Sequence, residues 1–188
     1  MTAVGASIVR LLSMTLTTYL ILWMNSFSDK KIIEASEGKS IYQNIILISA
    51  ILSAILYPVI GVICDKVDPM KIVPFAFIFR FLTMILFEFV STPKSAYQYF
   101  VTLAIVVASL LEQISVDCIF NKNLPKETRG MFNGFYSVMV VIFVLIYSSL
   151  SGYAIDKYEN TKWPFYILGG FDLIFAMCFV GMRVMKKI

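Results

Sequence analysis

Residues 61–66 read Gly61-Val-Ile-Cys-Asp65-Lys66, and residues 152–157 read Gly152-Tyr-Ala-Ile-Asp156-Lys157. Both are G-x-x-x-D-K, both close a long apolar run, and their glycines stand 91 residues apart, about half of the 188-residue chain. A pattern that returns at half the chain length predicts an internal repeat. Each half holds three apolar runs. The expected architecture is therefore all-α: six transmembrane helices in one domain, 1–188, built as two pseudo-symmetric three-helix units of about residues 1–92 and 93–188.

Composition agrees. Hydrophobic residues make up 59% of the chain and charged residues 15%, with a mean hydropathy of +0.82, whereas a soluble domain carries about 25% charge. One water-soluble core could not hide this much apolar surface; a bilayer can. The chain has no His, which excludes Ser-His catalysis, His-ligated metals and histidine proton relays. Cys64, Cys118 and Cys178 lie in or beside apolar runs without metal spacing and read as small buried hydrophobes. No metal and no cofactor is expected. A net charge of +4, dispersed along the chain, argues against a nucleic-acid partner. The first apolar run is too long for a signal peptide and lacks a cleavage site.

A spanning helix needs about 20 apolar residues. Six such runs are read: Val4 to Phe27, Ile41 to Cys64, Ile72 to Val90, Tyr97 to Phe120, Met131 to Ile155 and Trp163 to Met185. The longest connection is the charged stretch from Ser28 to Ser40. Pro69, Pro93, Pro125 and Pro164 fall in loops or at helix starts, and Pro58 is the exception, predicting a kink in the second helix. With the N-terminus inside, the inner side carries nine basic residues, including Lys66, Lys71, Lys122, Lys126 and Arg129, against six outside. That bias places both termini in the cytoplasm. The chain reads as a multi-pass integral membrane protein in contact with lipid; which membrane is not readable.

The first repeat motif continues as Val67-Asp68-Pro69-Met70-Lys71. The whole stretch resembles the signature loop of the major facilitator superfamily, G-x-x-x-D-[RK]-x-G-x-[RK]-[RK], through Gly61, Asp65, Lys66 and Lys71. It departs at Asp68, where the family prefers Gly, and lacks the tandem second base. Gly61 would let a neighbouring helix approach closely. The loop between helices four and five, with Pro125 followed by Arg129-Gly130, is similar to the P-x-x-x-R-G segment of the same superfamily. In that family an acidic residue near the end of helix four joins a cytoplasmic charge network that latches one state. The resemblance implies Asp65, Lys71, Asp117 and Arg129 as its members here. It covers nearly the whole chain, but as one six-helix half. The carboxy-terminal half is implied, because the fifth helix lacks the Gly-Pro-rich signature of some amino-terminal halves.

Ionisable residues inside the membrane are functional candidates by default. Arg80, Glu88, Glu112, Asp117 and Asp172 stand within apolar runs. Arg80 and Glu112 each lie about eight residues from the inner ends of consecutive antiparallel helices, about 12 Å deep at 1.5 Å per residue. Equal depth predicts a buried ion pair, with Glu112 as the coupling or substrate-contacting carboxylate; the alternative is that Arg80 points into the cavity and binds an anionic substrate directly. Glu88 is near an outer end and can snorkel. Asp172 sits near the middle of helix six without an evident partner and reads as structural.

In the family, helices one, two, four and five of each half line the pathway. The resemblance therefore implies a cavity with Tyr19, Asn25, Tyr57, Gln113, Asn133 and Tyr136 among its walls. The function implied is a secondary active transporter, present as a half, which moves a small solute by alternating access and needs a second six-helix half or a homodimer. The alternative is a non-transporting scaffold or assembly subunit that keeps the fold. An enzyme is disfavoured, since there is no G-x-S-x-G and no acidic metal cluster. Substrate, coupling ion and direction are not legible.

Overall fold

A computed structural model describes residues 11, 14–123 and 129–185. The described chain is all-helical. A π-helical turn, Thr15–Tyr19, leads into α1 (Leu20–Asp29), followed by α2 (Ala35–Lys66), α3 (Pro69–Leu86), α4 (Ala96–Asn123), α5 (Arg129–Tyr158) and α6 (Trp163–Met185). A 3₁₀ turn, Phe87–Phe89, closes α3. Five of these, α2 to α6, are long and apolar enough to cross a membrane among the described residues. The expected first span lies partly outside them.

Helix ends follow local chemistry. Asp68 caps α3 by accepting a 3.0 Å hydrogen bond from the Met70 N–H, with Pro69 at the first helical position, where its missing N–H costs nothing. The link from α2 to α3 is thus two residues long. α1 stops where Lys31 turns left-handed (φ 57°) and Ile32 N–H reaches back 2.9 Å to the Phe27 carbonyl, the closure that satisfies a last-turn carbonyl. Two expectations need correction. The polar connection from Ser28 to Ser40 is mostly helix, because α2 begins at Ala35 and carries Glu37 in its first turn, where a carboxylate complements the helix dipole. Pro58 is not the sole interior proline: Pro74 lies inside α3, removing the amide that would bond the carbonyl four residues earlier.

Cross-helix contacts fix which ends meet. Lys122 Nζ at the end of α4 donates to the Cys64 carbonyl at the end of α2 (3.2 Å); we call this the lower end. At the other, upper end, Lys94 pairs with Glu37 (2.8 Å), Tyr97 OH donates to the Leu86 carbonyl (3.2 Å), and Lys162 Nζ donates to the carbonyls of Glu88 (2.7 Å) and Val90 (2.9 Å). Asp65 therefore lies at the lower end. Asp156, near the close of α5, lies at the upper end, where Ile155 lines a cavity with Asn25 and Ala35.

α3 packs most extensively against α4 and α6, and α4 also packs on α2. The main core joins Trp23, Phe77, Phe87, Phe165, Phe175 and Phe179. Phe87 stacks on Phe165 with centroids 4.1 Å apart and meets Trp23 edge-on at 5.1 Å. A smaller cluster of Ile60, Cys64, Val106, Leu110 and Ile114 seals α2 to α4.

Candidate functional site: a buried charge cluster

Three ionisable side chains meet in the middle of the bundle, each wholly buried: Arg80 on α3, Glu112 on α4 and Asp172 on α6. Their depth follows from where they stand along antiparallel helices. Their approach depends on Gly169, one turn from Asp172, where a Cβ would come within 3.2 Å of Met84 Cβ. That small residue lets α6 close on α3. Below the guanidinium, Phe77 presents its ring 5.9 Å from the Arg80 Cζ, close enough for a cation–π contribution.

The two carboxylates are held differently. Asp172 takes a two-pronged bond: Arg80 Nε donates to Oδ2 at 2.7 Å, and Nη2 donates to Oδ1. This fork-to-fork arrangement is the strongest geometry available to the pair. Glu112 Oε2 stands 2.7 Å from Arg80 Nη1, but the contact lacks hydrogen-bond alignment, and Oε1 has no hydrogen-bond partner among the described residues. Asp172 fixes the guanidinium; Glu112 is the less constrained carboxylate. This corrects the reading of Asp172 as a residue without a partner. One cation faces two anions in a region closed to bulk solvent, so the cluster is one positive charge short whenever both carboxyl groups are ionised.

A second buried polar knot lies beside it. Tyr147 OH on α5 donates to the Pro164 carbonyl at 3.1 Å and shares a 2.6 Å hydrogen bond with Thr15 Oγ1. Thr15 Oγ1 also lies 2.9 Å from the Leu11 carbonyl, beside the π turn, but while Tyr147 donates to Pro164 the single Thr15 proton serves Tyr147. Sequence reading did not single out Tyr147. Its only signal was a tyrosine inside an apolar run, where a buried hydroxyl needs a partner.

The residues of the expected latch come to the lower end, in the last turn of α2 (Asp65, Lys66), the first turn of α3 (Lys71) and the last turns of α4 (Asp117). Asp65, Lys66 and Lys71 are exposed and Asp117 is half-buried. Among the described residues no ion pair joins Asp65 to Lys71. Arg129 opens α5; its side chain lies outside what is described. A Cβ at Gly61 would meet nothing within 4 Å, so among the described residues no helix uses it for close approach.

The expected cavity residues are not gathered at one site. Tyr19 is buried edge-on against Tyr147, centroids 5.6 Å apart. Tyr136 packs by Phe120 at 6.4 Å. Tyr57 and Asn133 are exposed, and Gln113 is half-buried. Asn25 lines a cavity of about 500 Å³ at the upper end, with Ser26, Asp29 and Thr161. A neighbouring cavity of about 770 Å³ is lined by Lys31, Glu34, Glu37 and Lys94.

A family model described as Major Facilitator Superfamily matches residues 2–186 of the chain. No curated protein and no solved structure matches it.

Proposed function

This chain belongs to the Major Facilitator Superfamily, and we propose on that premise that it is one half of a secondary transporter, the carboxy-terminal half, which moves a small solute by alternating access. The family's fold is a transporter fold, its proteins are transporters rather than enzymes, and the chain is a multi-pass integral membrane protein. The single observation that carries the transport reading is the buried cluster of Arg80, Glu112 and Asp172. Charge held at mid-depth in a bilayer is expensive and marks pathways and coupling sites.

In this reading Glu112 is the coupling carboxylate and Asp172 the residue that positions Arg80. The lower end is cytoplasmic. Asp65, Lys66, Lys71, Asp117 and Arg129 gate it, and Tyr19, Asn25, Tyr57, Gln113, Asn133 and Tyr136 contribute to a pathway completed by a second six-helix unit. The two six-helix halves rock about a midplane site. The motif spacing supports the repeat, and the placement of Asp65 and Asp156 at opposite ends agrees with it.

The test is solute flux driven by a pH gradient, in native membrane vesicles enriched in the chain and screened with sugars, amino acids and organic anions. Flux above control vesicles, uncoupled from the gradient by Glu112→Gln, is expected. Vesicles that move none of these solutes faster than controls would favour the scaffold reading.

A further inference from the structure

One face of α4 carries a line of polar side chains. At 3.6 residues per turn, Gln98, Thr102, Ser109 and Glu112 fall within about 80° of arc. Ile105 and Val116, which belong to the main core, share that arc. All four polar residues are buried, Gln98 and Glu112 completely. Val106, Leu110 and Ile114 stand outside this arc and pack with Ile60 and Cys64 of α2. The polar line is thus turned away from α2, and α3 is the most extensive neighbour of α4. The line runs along the α3–α4 seam.

Ser109 satisfies itself by donating to the Ile105 carbonyl at 2.7 Å. The others do not. Neither amide atom of Gln98, nor Thr102 Oγ1, nor Glu112 Oε1 has a hydrogen-bond partner among the described residues. Buried polar groups are paired with protein or with ordered water, and buried water makes its hydrogen bonds to polar groups that the protein leaves unsatisfied. Three unsatisfied residues on one face, leading from the upper end to an ion cluster, call for water rather than for separate lapses of packing.

We infer that water occupies the upper α3–α4 seam from Gln98 downward, and that this file is the inlet by which protons reach Glu112 from the upper side. Gln98, in the first turn of α4 and itself buried, is the uppermost member of the file. Thr102 lies about 6 Å below it, and Ser109 lies about 4.5 Å above Glu112. Between Thr102 and Ser109 the rise is about 10 Å, a gap of about three waters in file. Ile105, fully buried, is the constriction there. A proton passed along the file ends on a Glu112 oxygen, facing Arg80 from α3 and, beyond it, Asp172 from α6. The hydration rests on the unpartnered atoms alone; its use by protons rests on the coupling role proposed above.

Hydroxyl-radical footprinting of the intact chain in lipid nanodiscs reads bound water directly, because radiolysed water marks the side chains beside it. Val101 and Ile105 should be modified at least tenfold faster than Val73 and Ile45, which are the same residue types, equally buried. Gln98→Leu with Thr102→Val should abolish that difference while the chain stays folded by thermal melt. Equal, slow modification of both pairs in the wild-type chain overturns the inlet. Fast modification with proton coupling unchanged in Glu112→Gln keeps the hydrated seam, removes its role as a proton inlet and refutes the coupling role of Glu112.

Discussion

α2 and α5 have much the same apolar composition as α3, α4 and α6, yet use it in the opposite way. Of the most apolar stretch of α2 only 17% is buried, and the same holds for α5; for α3, α4 and α6 the shares are 44%, 56% and 44%. Ile51, Ile55, Val59 and Val62 on α2, and Val138, Val141, Leu145 and Leu150 on α5, point outward. In water such faces would drive association or aggregation. In hydrocarbon they are neutral, because lipid tails are as apolar as leucine. Cohesion must come from elsewhere, and in this molecule it is concentrated where α3, α4 and α6 bring shape and charge together. Hydropathy alone therefore says that a helix crosses, and says little about what it touches.

The sharpest way to break this contrast is to remove the central cation. Arg80→Met strands two buried carboxylates, and loss of one partner from a buried pair costs about 3–5 kcal/mol. Leu145→Ala, on the outward face of α5, should change stability by less than about 0.5 kcal/mol. Denaturant unfolding in mixed micelles would measure both. Within the cluster, Asp172→Asn should destabilise more than Glu112→Gln, since Asp172 holds the aligned fork and Glu112 only a charge contact. Equal, small losses at all three positions would mean that bulk solvent screens the cluster and that the contrast is false.

Shape is the second component. Gly169 admits α6 to α3, and a Cβ there already meets Met84 Cβ at 3.2 Å. Gly169→Leu should force the two helices apart and cost about 1–3 kcal/mol, the usual range for overpacking. It should also lengthen the Arg80–Asp172 contact one turn away, which would show as accelerated amide exchange in α3 and α6 and not in α2. Uniform exchange across all helices would refute the idea that cohesion is localised.

Much of this fold is legible in hydropathy, since apolar runs mark α2 to α6 to within a few residues. The exceptions are physical. α2 starts at Ala35 rather than Ile41, where Glu37 is favoured in a first turn and pairs with Lys94, a contact between a helix start and a distant loop that no local pattern carries. The equal depth of Arg80 and Glu112 is readable from residue counts along neighbouring helices. Asp172 is not found that way, because depth does not say which helices touch. One signal was available: the 91-residue motif spacing carries Arg80 to position 171, next to Asp172. Tyr147, bonded to a backbone carbonyl and to Thr15, has no signal beyond a tyrosine inside an apolar run. Asp68 departs from the family motif for a local reason, as the cap of α3.

The one small effect expected to be stabilising bears most directly on the outward faces. Gly61 stands in α2 with open space where a Cβ would point, so within this chain glycine there brings only its helix penalty of about 0.5–1 kcal/mol relative to alanine. Gly61→Ala should therefore stabilise the isolated chain slightly, raising its unfolding midpoint. The outcome in native membranes separates lipid from protein as the neighbour of α2. If lipid covers this face, the variant should be as active as the parent. If a second six-helix unit seats against it, the added methyl should weaken that contact. Solute flux and cross-linking through a cysteine at Val62 should then fall together while the isolated chain remains the more stable. A variant less stable than the parent even when isolated would mean that some helix of this chain does use Gly61, and that the outward face of α2 is partly covered from within.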